Sequence, residues 1–420
     1  QNPNGTWLLC VKDEAPSVNL PGQFINATLS FCSNPPADPI IVPGGCSGTN
    51  AFGCQCPDGT QNCDLLPDMT ASALIIQNQH IETLGNMRLS NATPNIGWGP
   101  MEIHGSGQCY CDTVSVSCAT TICPNGQPVR ELVKQTIYHK NQGVMTSYIR
   151  DAGYMSYHPT HGHVHVDAWG AFSLRIPTSN PDATTWPIVG TGAKVSFCLI
   201  NLGNCTNNMG YCVDTLGNVI TQANIPNSGF GSVTGCGTDQ GIFTGSLDIY
   251  SSGLAGMEMN FPGACNGDYA IVSITDPNND FLEQNENNNW VQVPVTLTQQ
   301  FPANGVTSFA YNAAGTTVSF TNTTPISTGF LWDFGDGTTD TVANPIHTYA
   351  TNSAYTVKLV AINQCYTAST QNILITNVKE EENFAFGFSA NPNPAKGLVT
   401  VSYFLPQKSP INIELYDLVG

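Results

Sequence analysis

From Asp64 onward the chain is built of short runs in which apolar and polar positions alternate, cut by Gly, Asn and Pro. Ser72-Ala-Leu-Ile-Ile, Arg88-Leu-Ser-Asn, Met145-Thr-Ser-Tyr-Ile and Val291-Gln-Val-Pro-Val read as strands. No amphipathic helix of about three turns is present, so an antiparallel β-sandwich is predicted for residues 64–298. A second β unit is predicted for residues 299–378. Phe330-Leu-Trp-Asp there leads into a Gly-Asp-Gly turn, and Tyr355, Val357, Leu359 and Ala361 alternate on one face. Residues 1–63 show no period and are read as a disulfide-tied extension without a core of its own.

The 420 residues exceed what one compact domain needs, which fits this division. Hydrophobic residues make up 41 %, enough for folded cores, while charged residues make up only 10 %, against about 25 % in an ordinary soluble domain. Twelve basic and 30 acidic side chains leave a net charge of −18. Such a surface repels phosphate backbones, which excludes a nucleic-acid partner, and attracts cations such as protonated amines. No run approaches the roughly 18 apolar residues of a spanning helix, so no transmembrane segment is expected.

Sixteen cysteines, fifteen of them before residue 266, far exceed cytosolic usage. Cys54 with Cys56 and Cys109 with Cys111 are close pairs, but the set is scattered rather than arranged as paired zinc hooks. Disulfides are the better reading and imply a secreted or cell-surface protein, its leader expected to have been removed before Gln1.

Four of the eight histidines fall in His158-Pro-Thr-His161-Gly-His163-Val-His165. Strand alternation puts His161, His163 and His165 on one face, and three imidazoles converging from one face suit Cu(II) or Zn(II). His158, followed by a proline, is expected off the strand and outside the ligand set. A zinc hydrolase would need a general-base glutamate beside these histidines, and none is near in sequence.

The longer stretch Tyr157-His-Pro-Thr-His161-Gly-His163-Val-His165-Val-Asp-Ala-Trp169-Gly-Ala-Phe-Ser-Leu-Arg175 resembles the copper-binding strand of lysyl oxidases and their bacterial relatives. Gly192-Ala-Lys194-Val-Ser-Phe-Cys198 is similar to the segment supplying the lysine of that family's quinone. Gln240-Gly-Ile with Gly245-Ser-Leu-Asp248-Ile-Tyr250 is similar to the segment supplying its tyrosine. Leu66-Pro-Asp68-Met and Pro94-Asn-Ile-Gly-Trp-Gly-Pro resemble the start of such domains. The resemblance spans roughly residues 64–298 and implies a lysyl oxidase-like sandwich. It also implies Cu(II) on His161, His163 and His165, and lysine tyrosylquinone made from Lys194 and Tyr250. The activity implied is oxidation of primary amines, or of lysine side chains of extracellular proteins, to aldehydes with release of hydrogen peroxide. Alternation would place Lys194 with Ser196 and Cys198, opposite Val195, Phe197 and Leu199. Asp248, two residues before Tyr250, is the candidate base.

The family's Gln-Trp-hydrophobic-Asp stretch after the tyrosine is replaced here by Gly256-Met-Glu-Met-Asn, and Thr160 stands where animal enzymes carry a cysteine. The animal relatives imply a Cys198–Cys205 bridge; Cys236 and Cys265 are expected to clip the Tyr250 segment, and Cys365 to be a buried free thiol. Glu283-Gln-Asn285-Glu-Asn-Asn288-Asn289 resembles the family's calcium loop, which pairs with Asp68 and the carbonyl of Met69. Trp332-Asp-Phe-Gly-Asp-Gly, Asn344-Pro, His347-Thr-Tyr349 and Tyr355-Thr-Val resemble polycystic-kidney-disease (PKD) immunoglobulin-like domains, which are spacers or adhesive modules. Phe388-Ser-Ala-Asn-Pro-Asn-Pro-Ala-Lys396 with Val399, Val401, Tyr403 and Leu405 resembles the start of the C-terminal sorting domain of type IX secretion in Bacteroidetes. That small β domain is assigned to residues 383–420 and implies the type IX machinery as a partner. An all-β, copper- and quinone-dependent amine oxidase is therefore the leading expectation. Its rival is a non-catalytic surface or adhesion protein that retains the fold and the metal.

Overall fold

The computed structural model describes residues 45–159, 162–228, 230–302, 307–325, 327–363, 365–375, 388–391 and 400–403. His161, most of the expected N-terminal extension and most of the expected sorting domain lie outside the described residues. The protein is nearly all β, as the alternation predicts, and it divides into two units. Residues 1–177 with 182–301 form one, and residues 178–181 with 302–420 the other.

In the first unit one antiparallel sheet runs Asp239–Ile242, Met101–Cys111, Arg130–Asn141, Val144–His158, His163–Val166. A second runs Trp290–Leu297, Gly267–Thr275, Gly170–Arg175, Ile188–Gly192, Glu258–Asn260, Asn86–Leu89, His80–Thr83. A small third sheet joins Gly203–Asn204, Ser246–Tyr250 and Asn91–Pro94. Ala270, Ile271 and Val272 are completely buried, so the strand Gly267–Thr275 hides both of its faces, as a central strand must. The strand Asn62–Leu65 pairs with Arg130–Asn141 and so crosses the boundary drawn at residue 63.

Ser72-Ala-Leu-Ile-Ile is not a strand. Ala73–Asn78 forms a short α-helix that buries the adjacent Ile75 and Ile76, and the Gln79 N–H closes it on the Ile75 carbonyl at 2.9 Å. An unbroken apolar run does not distinguish strand from helix, because only alternation separates the two.

Disulfides join Cys46–Cys54, Cys56–Cys63, Cys109–Cys118, Cys111–Cys123, Cys198–Cys236 and Cys205–Cys212. Both close pairs are thus used in disulfides, which removes them as zinc hooks. Cys198 pairs with Cys236 instead of Cys205, and Cys205 closes a tight loop with Cys212. Cys236 is therefore not the partner of Cys265, and both Cys265 and Cys365 are disulfide-bonded, so Cys365 is not a free thiol. Loop bridges constrain the unfolded chain and offset the weak cores of turn-rich segments.

In the second unit Phe309–Ala314, Thr317–Asn322 and Ile346–Thr348 form one sheet. Thr339–Asp340, Gly329–Asp333, Ala354–Asn363 and Cys365–Leu374 form another. Trp332, fully buried, packs its indole 5.1 Å from the Phe309 ring and 5.3 Å from that of Phe320. Gly335 has φ +81° and no room for a Cβ, which would lie 2.6 Å from the Thr356 carbonyl. That close approach explains the Gly-Asp-Gly turn. Phe388–Asn391 and Thr400–Tyr403 pair as a two-stranded antiparallel ladder.

Trp332→Ala removes the largest side chain of the second unit's core and is expected to cost about 3–5 kcal/mol. Calorimetry of the full chain should show that loss in one unfolding transition, with the transition of the first unit unmoved.

Candidate functional site

The strands Val144–His158 and His163–Val166 form a hairpin in which His158 stands directly across from His163. Gly162 turns that corner at φ +72°, and its N–H bonds the His158 carbonyl at 2.8 Å. His158 is thus on a strand, contrary to expectation, with its ring centroid 4.5 Å from that of His165. His163 and His165 share a face as alternation predicts, and their Nε2 atoms lie 2.8 Å apart.

The segment after Lys194 runs alongside this hairpin. Val166 and Phe197 exchange both backbone hydrogen bonds, at 2.7 and 3.1 Å, and the Gly170 N–H reaches the Val195 carbonyl. Only an isolated bridge forms, so strict alternation fails. Phe197, expected opposite Lys194, lines the same cavity, and the Lys194 Nζ lies 5.1 Å from its ring centre. Gly256, at φ +83°, stands against the lysine stem; a Cβ there would lie 3.0 Å from that of Lys194. The sequence departure after Tyr250 therefore falls beside Lys194.

Tyr250 ends the strand Ser246–Tyr250, where register with Asn91–Pro94 pairs it with Asn91. Its ring centroid is 4.4 Å from that of Phe197, and its hydroxyl donates to the Asp248 carboxylate at 2.8 Å. Asp248 also accepts from the backbone N–H groups of Ile200 and Ile249. Thr93 and Trp169 turn their polar atoms toward the phenol without completing a hydrogen bond.

These elements enclose one cavity of about 350 Å³, lined by His163, His165, Lys194, Phe197, Asp248 and Tyr250. Cys198, Ile200, Leu202, Ile249, Leu254 and Ala255 complete its wall. Burial sets the electrostatics. It raises Asp248 to about 7 against the opposing hydrogen bonds from Tyr250 and the two amides. It also lifts the Tyr250 phenol well above its usual value, helped by the neighbouring carboxylate, and it lowers the Lys194 ammonium. A lysine amine more readily neutral and a carboxyl poised near neutrality suit amine addition and proton transfer. Phe197 and Trp169 lay within the motif stretches without a role of their own, and Thr93 was not singled out, since apolar and hydroxyl side chains carry no distinctive signal.

The donor set fits a copper ion. Two nitrogen ligands about 2.0 Å from one ion and at right angles to each other lie about 2.8 Å apart, as the His163 and His165 Nε2 atoms do.

The loop before Trp290 forms a second cluster. Asn288 donates to the Asp68 carboxylate at 2.8 Å, Asn289 donates to Glu283 at 3.0 Å, and the Met69 N–H bonds Glu283. Asn285 is turned to its own loop, accepting from the Asn287 N–H at 3.1 Å. Glu286 and Asp276, which the sequence reading passed over, face the same group. Both raise Glu283, whose burial already pushes it far up. Asp68 and Asp276 are each pushed to about 6, mainly by burial. The side-chain oxygens of Asn288 and Asn289 and one of Glu286 are buried without a hydrogen-bond partner. No cationic side chain bridges these acids among the described residues. Hard oxygens are the donors calcium takes, although no three of the described acids, histidines or cysteines are gathered closely enough to hold a metal ion by themselves.

Comparison with known proteins identifies one region. Residues 302–378 match the PKD domain family, so the second unit contains a PKD domain. The PKD1 domain of the Vibrio cholerae metalloprotease PrtV is 29 % identical over 17 % of this chain and 96 % of its own, at a TM-score of 0.17. The PKD1 domain of Vibrio anguillarum Epp is 23 % identical over 17 % of this chain and 92 % of its own, at a TM-score of 0.16. No curated protein matches the chain.

Asp248 makes folding pH-dependent with a definite sign. Its folded value, about 7, lies above its unfolded value of 3.8, so the native state holds a proton that the unfolded chain has lost. The stabilisation is therefore complete below the unfolded value and is lost as pH rises to about 7. Asp248→Asn should flatten this part of the stability-against-pH curve by an amount on the order of a few kcal/mol, measured by urea unfolding of both proteins between pH 4 and 8.

Calcium at one hundred times its dissociation constant should stabilise the first unit by about 2.7 kcal/mol. Chelation should reverse the gain, and Glu283→Gln should abolish it, with thermal melts as the readout.

Proposed function

We propose that this chain is a secreted, copper-dependent amine oxidase whose cofactor is lysine tyrosylquinone made from Lys194 and Tyr250. The observation that carries the reading is the single cavity shared by His163, His165, Lys194, Asp248 and Tyr250. These residues come from three separate stretches of sequence, and the chemistry needs all three in one place. The overall reaction is R–CH₂–NH₂ + O₂ + H₂O → R–CHO + NH₃ + H₂O₂. The amine carbon gives up two electrons, and O₂ takes them with two protons.

Copper on His163 and His165, together with His161, which lies outside the described residues, would supply the oxidation of the tyrosine ring by O₂. The bound quinone supplies the two-electron acceptor for the amine. The remaining work falls to this chain. Asp248, held by Tyr250 and two backbone amides, would take the proton from the amine's α-carbon. Phe197 touches both Lys194 and Tyr250 and limits their movement. The wall of Ile200, Leu202, Ile249 and Leu254 excludes water and favours the neutral amine over the ammonium.

The PKD domain acts in this reading as a spacer, and the pairing of Phe388–Asn391 with Thr400–Tyr403 belongs to a type IX sorting domain. The disulfides suit an oxidising, extracytoplasmic site, and no described helix is long and apolar enough to cross a membrane. The rival reading, a surface protein without turnover, draws support from the burial of Tyr250, whose hydroxyl is already engaged by Asp248.

Copper-loaded, aerated protein should yield one cross-linked Lys194–Tyr250 peptide with quinone absorbance. It should also release peroxide with an amine, blocked by a carbonyl reagent. Lys194→Ala and Tyr250→Phe should each abolish the cross-link while copper stays bound, and loss of His163 should abolish both. Full copper binding without any cross-link would leave the non-catalytic reading in its place.

A further inference from the structure

We infer that the cavity selects primary monoamines carried on an uncharged apolar body and discriminates against short diamines. This rests on the oxidase reading for its chemistry, but the selectivity is a property of the cavity wall. The size falls within the roughly 300–1,000 Å³ usual for small-molecule sites, at about 350 Å³.

The wall divides into two chemically different parts. Every ionisable lining group, namely His163, His165, Lys194, Asp248 and Tyr250, already has a role in the proposed chemistry. The rest of the lining is apolar apart from Cys198, whose sulfur is in a disulfide. Asp248 is engaged by Tyr250, Ile200 and Ile249 and is assigned to the α-proton, so it is not the counter-ion of an ammonium at the far end of a substrate. Leu202 is 57 % exposed and Leu254 45 % exposed, yet both line the cavity, so they form a greasy rim where solvent begins. Large exposed leucines beside a cavity mark a place where apolar ligand surface is received.

A second ammonium on a short chain would have to lie against this wall. It would lose water there and find no carboxylate, a penalty an alkyl terminus escapes. The global charge pulls the other way, since −18 favours dications at a distance. That attraction is screened beyond about 8–10 Å in physiological salt, whereas desolvation acts at contact. Contact should therefore decide the preference, against what overall charge alone suggests.

Pentylamine and 1,4-diaminobutane make the test, because they have the same number of heavy atoms and differ in one terminal group. Two measurements are made on the full chain. Peroxide release is followed with copper-loaded, aerated protein, and binding is followed by saturation-transfer NMR with metal-free protein. Pentylamine should exceed 1,4-diaminobutane by about ten-fold or more in both kcat/KM and affinity. From propylamine to pentylamine, each added methylene should gain roughly four-fold while the chain still meets wall. Leu254→Asp places a counter-charge at the rim and should bring the diamine close to parity.

Equal or tighter binding of 1,4-diaminobutane to the unaltered protein would overturn the inference, whether or not peroxide is made. An unchanged preference in Leu254→Asp would also overturn it, by removing the rim from the selection. Failure of every amine to yield peroxide would instead end the oxidase reading, and the NMR order would still decide what the cavity prefers.

Discussion

The side-chain amide of Gln240 holds the site together. It is completely buried, and its side chain bonds backbone groups of different segments. Its Nε2 donates to the Val164 carbonyl at 2.9 Å and to the Gly237 carbonyl at 2.8 Å, and its Oε1 accepts from the Leu199 N–H at 2.8 Å. One side chain thus clasps the histidine strand, the lysine segment and the strand that leads toward Tyr250. The Cys198–Cys236 disulfide reinforces the same junction, and the Cys236 carbonyl accepts from the Val164 N–H at 3.0 Å. A buried amide left without one of these partners would lose about 1–3 kcal/mol, so pulling the three segments apart is costly. The shared cavity depends on that clasp, because none of the three is tied to another by a regular sheet ladder at the point where they meet.

Much of this was legible from residue order, and the failures have physical causes. Alternation marked both units as β and found strands such as those at Met145 and Val291, although the run at Ser72 is a helix, and the Gly-Asp-Gly turn fell where the pairing of Asp333 with Thr339 requires it. The histidine face followed from strand periodicity, and His163 and His165 obey it. Lys194 and Phe197 escaped it, because periodicity assumes a ladder and the stretch around them makes only one bridge. His158 escaped for the opposite reason. The proline that follows it suggested a strand end, yet the hairpin closes just past that end and returns His163 to face it. Disulfide partners were the least legible, since Cys198 reaches across 38 residues to Cys236 while a nearer cysteine, Cys205, closes its own loop. Spacing sets which bridges are possible, and only the fold sets which sulfurs meet.

Acidity was the most conspicuous feature of the composition and the least informative about the site. Acids such as Asp58, Asp151 and Asp239 are exposed, and charges so solvated affect chiefly the long-range field. Burial separates out the others. Asp248 is sealed beneath a phenol, and Asp68, Asp276 and Glu283 crowd one another around a loop of asparagines; all four are driven upward chiefly by loss of water. In neither place does a lysine or arginine supply compensation among the described residues. Carboxylates held this way destabilise the fold when ionised, so each group is costly unless something else neutralises it. At Asp248 a proton taken up on the carboxyl itself does so, with Tyr250 donating a hydrogen bond to it. Around Glu283 the neighbours are further carboxylates and asparagine oxygens, which raise its affinity for a proton instead of relieving it. The same physical cost therefore marks two different kinds of chemistry. What distinguishes them is the neighbour, a single hydroxyl in one case and a ring of further oxygens in the other.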